Sequence, residues 1–318
     1  MLTLYVLQSV VPLALVAWLA VTPPRSTIGF WTQAIATALG LNAVGTTGLW
    51  LFPPWWTPVA HGVLLSAVVI AGLATRRHFW PAGVAGWLTM VGFALLSLYA
   101  ANVVRVALAV TSMPEGRSVD LASPLGPGTY LVANGGAGPS INAHAAWLDQ
   151  SVAKHKPWWG TGHAVDLIAI DGWGLRANGL MPSEPSRYRI FGKPVVAPCA
   201  GEIVVALDGL PDMPVPETDT GHLAGNHVIL RCAGVDILLA HFRKGSVAVR
   251  NGQQLATSDA IAAVGNSGNS SEPHLHIHAQ RPGTTEAPFS GAPLPIRING
   301  RYLVRNNRFV VPGQGVQP

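Results

Sequence analysis

The sequence predicts two regions of different fold class: an N-terminal α-helical membrane bundle of about four spans in residues 1–110, and a mainly-β domain in residues 111–318. Hydrophobic residues make up 49% of the 318 residues and charged residues only 11%, whereas charged residues normally form roughly a quarter of a soluble domain. All 15 acidic residues lie in the second region. That region also places glycines and prolines between short apolar runs, a pattern typical of β-structure.

Four apolar stretches fill the first region, and each is near the ~20 residues with which a helix crosses the hydrocarbon of a membrane. They cover residues 2–22, 28–52, 58–74 and 82–101. The first lacks the basic n-region of a cleaved signal peptide and is long for one, so we interpret it as a membrane helix. The third is the shortest, and a buried or re-entrant segment remains an alternative for it.

Basic residues orient the predicted bundle. Arg25 follows the first stretch and Arg76 with Arg77 follows the third, whereas the loop at 52–57 is uncharged. Short basic loops stay in the cytoplasm. With four spans, both ends of the bundle, and therefore residues 111–318, are expected on the outer side of the membrane. There, Cys199 and Cys232 would form a disulfide or remain buried thiols. Basic and acidic residues nearly balance in this region, so nucleic acid is not expected as a partner.

Seven segments of the second region are predicted strands because they are short, apolar and bounded by turn residues. They are 164–170, 194–196, 202–207, 227–232, 236–241, 261–264 and 275–279. Ala233, Gly234 and Val235 between two of them predict a tight hairpin. Longer loops, at 175–188 and 208–225, are of the kind that shapes a binding groove.

One predicted strand carries three alternate histidines, His274, His276 and His278. Alternate residues of a strand share a face, at roughly 6.5 Å spacing, so these imidazoles suit a metal and its bound water. A solvated polar face is the alternative, but Lys, Thr or Glu would serve it equally well. Asp166 lies in an apolar strand, where a carboxylate is costly unless it coordinates a metal or forms a salt bridge.

The residues around this strand resemble a known family. Residues 265–276, Gly-Asn-Ser-Gly-Asn-Ser-Ser-Glu-Pro-His-Leu-His, resemble the G-N-[ST]-G-x-[ST]-x-x-P-H-L-H signature of lysostaphin/LytM-type zinc metallopeptidases. Residues 195–201, 239–242 and 247–265 are similar to further motifs of that family, in the same order. The resemblance implies a lipoyl/biotinyl-barrel-like peptidase domain with its core at about 160–285 and with Zn²⁺ as its cofactor. The chain would belong to a variant branch with an N-terminal membrane domain.

The resemblance implies roles for four residues. Asp166 and His276 would be metal ligands, and His274 and His241 would be catalytic, acting on the water and the developing oxyanion. The His278 position is acidic in many members, so no role is implied for it.

The third ligand departs from the family pattern. The family places a histidine four residues before its aspartate, where this chain has Gly162. His163 is three residues before Asp166 and would face the opposite side of a strand unless a bulge intervenes. His144, in Asn142-Ala143-His144, resembles an Asn-x-His element of a variant branch. We therefore predict His144 as the ligand, with His163 as the alternative.

These expectations combine into a membrane-anchored zinc endopeptidase that hydrolyses peptide bonds, with peptidoglycan as the implied substrate. It would be a multi-pass protein of the bacterial cytoplasmic membrane, with its peptidase domain on the periplasmic or cell-wall side. The lipid bilayer and the peptide substrate are the expected partners, and no protein partner is implied. Alternatives are a non-catalytic LytM-like domain that binds cell wall or activates an amidase, and a sensor, transporter or metal-handling protein. A lipoyl-type carrier would need a lysine at the 251–259 hairpin, which has none.

Overall fold

A computed structural model of the chain describes residues 2–75 and 78–313. The chain divides into two compact units, residues 1–110 and 111–318. Arg76 and Arg77, on which part of the predicted membrane orientation rests, lie outside the described residues.

The described part of the first unit contains four α-helices. They are α1 (Leu2–Val21), α2 (Thr27–Thr47), α3 (Thr57–Gly72) and α4 (Gly83–Ala109). Ser26 begins α2, because its side chain accepts a hydrogen bond of 3.2 Å from the Gly29 N–H and satisfies a free donor of the first turn. Phe30 and Ala34 of α2 are buried with Leu19 of α1 in a small apolar core.

Among the described helices, only α4 is both long and apolar enough to cross a membrane. Residues Tyr5–Val21 and Thr57–Gly72 form shorter apolar helices. The 16 residues of α3 extend for about 24 Å at ~1.5 Å per residue, less than a hydrocarbon core of ~30 Å. The structure therefore supports a helical region with one candidate span, and the predicted bundle of four spans is not confirmed.

The second unit is mainly β. Its strands are β1 (Val119–Leu121), β2 (Gly128–Asn134), β3 (Val165–Ala169), β4 (Pro194–Val196), β5 (Gly201–Leu207), β6 (Asn226–Cys232), β7 (Val235–Phe242), β8 (Gln254–Leu255), β9 (Ala260–Ala263), β10 (Leu275–Gln280), β11 (Pro293–Leu294), β12 (Ile296–Ile298), β13 (Arg301–Tyr302) and β14 (Arg308–Val311). The main sheet has the order β14-β2-β3-β10-β7-β6-β5-β8, and β11 pairs with β10. Two 3₁₀ segments, Ala143–Leu148 and Ala153–His163, lie between β2 and β3.

Local sequence explains the centre of this sheet. Ala233 and Gly234 both have positive φ, at 48° and 77°, as a two-residue turn between antiparallel strands requires. They join β6 to β7 where Cys232 pairs with Val235. Cys232 forms a disulfide with Cys199. The segment that enters β5 is thereby linked, two residues before the strand, to the end of β6.

The sheet has one apolar and one polar face around β3, β10 and β7. Leu167, Leu239 and Ile277 contribute to the large apolar core and are fully buried. Alternation along β3 and β10 turns Asp166 and His276 to the opposite face. The candidate site is therefore built on paired strands in the middle of the sheet.

Candidate metal centre

Strand register places the first two site residues opposite each other. His276 of β10 pairs with Asp166 of β3 on one side and with Ala240 of β7 on the other. His278 lies two residues along β10, on the same face as His276. His274 lies one residue before the strand rather than on it. The three alternate histidines are therefore not all strand residues, although the first remains close to the others.

Asp166 lies at the centre of the cluster and is only 4% exposed. Its Oδ2 is 2.9 Å from His144 Nε2 and accepts a hydrogen bond of 2.8 Å from Asn134 Nδ2. Its Oδ1 is 3.0 Å from His276 Nδ1. One ligand atom from each of His144, Asp166 and His276 lies within 4.8 Å of the others.

The 3₁₀ segment Ala143–Leu148 brings His144 to Asp166. Asn142 precedes the segment, and its side-chain oxygen accepts a hydrogen bond of 3.2 Å from the His144 N–H. The Asn142 amide also donates to the carbonyl of Ala164, just before β3, at 3.1 Å. One buried asparagine therefore fixes the segment against the strand that carries the aspartate.

His163 lies elsewhere. It ends the second 3₁₀ segment, and its buried Nδ1 has no hydrogen-bond partner. Burial lowers the pKa of this imidazole. In the described residues, the candidate metal groups include His144 and not His163.

Gly162 explains part of this arrangement. A Cβ at this position would overlap the side chain of Leu148. The 3₁₀ segment that carries His144 thus packs into the space that a side chain at position 162 would need. A histidine at 162 and the present position of this segment exclude each other.

His241 and His274 form a second candidate metal group with His276. The ring centres of His241 and His274 are 4.7 Å apart, and those of His241 and His276 are 5.8 Å apart. Nδ1 of His241 lies 2.9 Å from the Ser267 carbonyl, and Nδ1 of His274 lies 2.9 Å from the Glu272 carbonyl. Because a carbonyl only accepts, both Nδ1 atoms carry hydrogen, and in the neutral form of either ring the nitrogen with the lone pair is Nε2.

The backbone of His241 is strained in this position. Its φ is 64°, in the left-handed region that residues other than glycine seldom adopt. Such conformations concentrate at functional sites, where the surrounding structure holds them.

Burial and charge set the protonation of the cluster. Burial raises the pKa of Asp166, but the nearby His144 and His274, with the hydrogen bond from His144, hold it well below its usual value. Burial lowers the pKa of His276 to about 4 and that of His241 well below its usual range. An ionised Asp166 and a neutral His276 are in the states that metal binding requires of these two side chains. Two imidazoles and one carboxylate also match a zinc site with a fourth position free.

A hydrogen-bonded chain extends behind His276. His276 Nε2 is 3.0 Å from His278 Nδ1, and His278 Nε2 is 3.3 Å from Gln280 Oε1. Gln280 Nε2 donates to the Pro288 carbonyl at 2.6 Å. Burial lowers the pKa of His278 well below its usual value. Sequence reasoning missed Gln280, although it continues the two-residue spacing of the histidines.

Two more supporting residues were missed. Asn134 ends β2, and its Oδ1 accepts a hydrogen bond of 2.8 Å from Arg305 Nη2. Burial lowers the pKa of Arg305 to about 10. Neither residue has a spacing that points to the site. Asn134 reaches Asp166 because β2 pairs with β3, and Arg305 reaches Asn134 from the loop before β14.

A cavity of about 100 Å³ lies beside the cluster. Its lining residues include Trp147, Trp158 and Leu238, together with His144 and His276. The lining residues that the structure describes include no Lys, Arg, Asp or Glu.

The fold and the cluster define a class of protein: a mainly-β domain with histidines and an aspartate suited to a metal. Residues 188–288 match the model of peptidase family M23, and the resemblance to lysostaphin/LytM-type peptidases is thereby confirmed. The match includes His241, His274 and His276, whereas His144 and Asp166 precede its first residue. No curated protein matches the chain in a sequence comparison.

Several solved structures resemble the chain at low identity. The catalytic domain of the antimicrobial peptidase lysostaphin from Staphylococcus simulans is 20% identical over 40% of this chain and 74% of that chain, with a TM-score of 0.26. A putative peptidase M23 from Pseudomonas aeruginosa is 20% identical over 33% and 42%, with a TM-score of 0.22. A zinc containing peptidase from Vibrio cholerae is 16% identical over 36% and 46%, with a TM-score of 0.23. The chain spans less than half the length of the last two.

Proposed function

We propose that the chain is a membrane-anchored, zinc-dependent endopeptidase. The observation that carries the proposal is the convergence of His144, Asp166 and His276, with His241 and His274 beside them. When bound, zinc would lower the pKa of a ligated water toward ~7 and polarise the scissile carbonyl. The first three residues would hold the ion.

His241 and His274 would manage the protons. Each has its Nδ1 hydrogen bonded to a backbone carbonyl, which fixes the ring and leaves Nε2 toward the site. His274 Nε2 is 3.7 Å from Asp166 Oδ1. A neutral imidazole in this position accepts a proton from water at Nε2, and the imidazolium so formed donates it to the developing oxyanion or to the leaving amine.

The cavity beside the cluster would receive a substrate side chain. A cavity of ~150 Å³ holds a benzene ring, whereas this one has about 100 Å³. A small, uncharged side chain such as alanine, or glycine with none, therefore suits it. This agrees with peptidoglycan peptides or cross-bridges as the substrate class, which the family resemblance also favours.

The proposed setting is the bacterial cytoplasmic membrane. In this proposal residues 1–110 are the transmembrane domain, with α4 as its clearest span, and residues 111–318 are an extracytoplasmic peptidase domain. The disulfide of Cys199 with Cys232 supports an oxidising compartment for the second domain. A multi-pass arrangement still depends on the shorter apolar helices.

The test uses the full-length protein purified in detergent. Zinc content and release of free amines from peptidoglycan would be measured for the wild type, His276→Ala, His144→Ala and His163→Ala. We expect the first two variants to lose zinc and at least about 100-fold in activity, because each removes a ligand. His163→Ala, the matched control, should keep both.

Three outcomes would count against the proposal. Full activity in His276→Ala would refute the zinc-peptidase mechanism. Loss of zinc in His163→Ala with retention in His144→Ala would reverse the choice of third ligand. Zinc binding by the wild type without hydrolysis would favour a non-catalytic LytM-like domain that binds cell wall or activates an amidase.

A further inference from the structure

We propose that His278 and Gln280 are positioning residues that fix the tautomer of His276, so that its Nδ1 presents a lone pair toward Asp166. The proposal rests on the zinc site proposed above and deepens it. It follows from the direction of each hydrogen bond in the chain behind His276.

The donor and acceptor roles in this chain are set at its Pro288 end. The carbonyl of Pro288 can only accept, and it lies 2.6 Å from the Gln280 amide. The amide must therefore turn its Nε2 toward Pro288, which leaves Oε1 toward His278. His278 Nε2 is 3.3 Å from this oxygen and must carry hydrogen to bond with it.

The next link follows from the partners of the two His278 ring nitrogens. The His278 side chain is completely buried, with 0% exposure, and its two ring nitrogens contact His276 Nε2 and the neutral amide of Gln280. A neutral ring with hydrogen on Nε2 has its lone pair on Nδ1. His276 Nε2, at 3.0 Å, is then the donor to this lone pair, and the His276 lone pair must be on Nδ1.

This tautomer has a consequence for Asp166. The lone pair of His276 Nδ1 and the carboxylate Oδ1 are 3.0 Å apart, and two acceptors at this distance repel unless a cation joins them. In the other tautomer, Nδ1 would donate to Asp166, and the ligand nitrogen would be occupied by its own hydrogen. The chain through His278 and Gln280 excludes that state and keeps the nitrogen available to a divalent cation.

Gly160 makes room for the chain. A Cβ at this position would overlap Gln280 Oε1. The Gly160 N–H bonds to the Phe289 carbonyl at 2.9 Å, one residue after the Pro288 acceptor. The same short stretch of backbone thus accommodates the Gln280 amide and fixes its acceptor.

The experiment uses full-length protein in detergent and two readouts. The zinc dissociation constant would be measured by competition with a chelating dye. The His276 tautomer would be measured in the metal-free protein from ¹⁵N imidazole resonances, which separate a lone-pair nitrogen from one bearing hydrogen. The variants are His278→Leu, His278→Asn and Gln280→Met, with His227→Leu as the control for loss of another buried histidine.

We expect His278→Leu to weaken zinc binding about 10–100-fold, the range typical of residues that orient metal ligands, and to move hydrogen onto His276 Nδ1. His278→Asn should restore most of the affinity, because its Oδ1 takes the place of the ring Nδ1 as acceptor. Gln280→Met should weaken binding about tenfold. His227→Leu should leave both readouts unchanged.

Wild-type zinc affinity in His278→Leu would overturn the proposal, as would an unchanged His276 tautomer in that variant. An equal loss of affinity in His227→Leu would assign the effect to general damage of the core and would also overturn it. If the wild type bound no zinc, the proposed function would fail separately, and the tautomer in the metal-free protein would still decide the role of His278.

Discussion

Replacing Arg176 by methionine tests whether a buried ion pair holds the loop that carries His274. Arg176 and Glu272 are 3% and 5% exposed, and Arg176 Nε donates to the two Glu272 oxygens at 2.8 and 3.0 Å. The backbone carbonyl of Glu272 fixes Nδ1 of His274. The pair thus joins the loop after β3 to the segment that enters β10.

The expected magnitude follows from the burial of this pair. Arg176→Met leaves the Glu272 carboxylate buried without its partner, which costs about 3–5 kcal/mol. The double variant with Glu272→Met removes both charges and should recover most of that loss, because apolar replacement of a buried pair is often neutral. Arg189→Met is the control. Its pair with Asp171 is 36% and 24% exposed, and loss of so exposed a pair costs about 0–1 kcal/mol.

Native-state hydrogen exchange of the β7 and β10 amides would measure the free energy of unfolding in the intact protein. The same samples would be assayed for hydrolysis, where Arg176→Met should lower activity through displacement of His274. A loss below about 1 kcal/mol in Arg176→Met would refute the reasoning. So would a double variant as unstable as the single one, because the cost would then not arise from an unpaired charge.

Three further predictions concern other parts of the second unit. Replacing Cys199 and Cys232 by serine removes a disulfide with a sequence separation of 33. The free energy of unfolding should fall by about 3.7 kcal/mol in the chain-entropy model. Native-state hydrogen exchange would measure the loss, with the reduced wild type as the control. Burial lowers the pKa of His227, so below about pH 6.5 the unfolded chain binds a proton that the folded one does not, and stability falls with falling pH. His227→Phe should flatten that slope by up to ~1.4 kcal/mol per pH unit, and an unchanged slope in thermal unfolding would contradict this. Gly162→Ala should cost about 1–3 kcal/mol by overlap with Leu148 and weaken zinc binding, whereas wild-type affinity would show that the 3₁₀ segment adapts.

The local sequence pattern was sufficient to predict the strands at the centre of the β sheet, but it was insufficient to predict those at one edge. The segments that became β5, β6, β7 and β10 are short apolar runs between turn residues, and the hairpin at Ala233 has the turn chemistry it needs. Neither β2 nor β14 was among the strands predicted from the sequence. These strands pair with each other, Arg308 opposite Leu131, and their stability comes from that distant partner rather than from a pattern within either one.

In the helical unit, the sequence predicted the apolar character but not the lengths of the helices. Composition alone marks residues 1–110 as apolar and free of acidic residues, but apolar composition does not set helix length. The third stretch became a helix of 16 residues, and the predicted spans reduce to one clear candidate, α4. Whether the shorter helices cross the membrane depends on neighbours and lipids that a hydropathy pattern does not contain.

The position of His144, the proposed third ligand, depends on packing that the spacing of residues in the sequence does not show. The three-residue spacing of His163 and Asp166 argues against His163 as a ligand only if both residues lie on one continuous strand. The structure instead has a 3₁₀ segment at residues 153–163. Gly162 lacks the side chain that would exclude Leu148, and Asn142 ties the other 3₁₀ segment to the start of β3. Compared with the family pattern, which has a histidine at position 162, the proposed site with His144 uses three features together. They are a glycine at 162, the capping Asn142, and a segment long enough to cover the strand. A histidine restored at 162 would not recreate the family pattern, because it would displace the segment that now holds His144 beside Asp166.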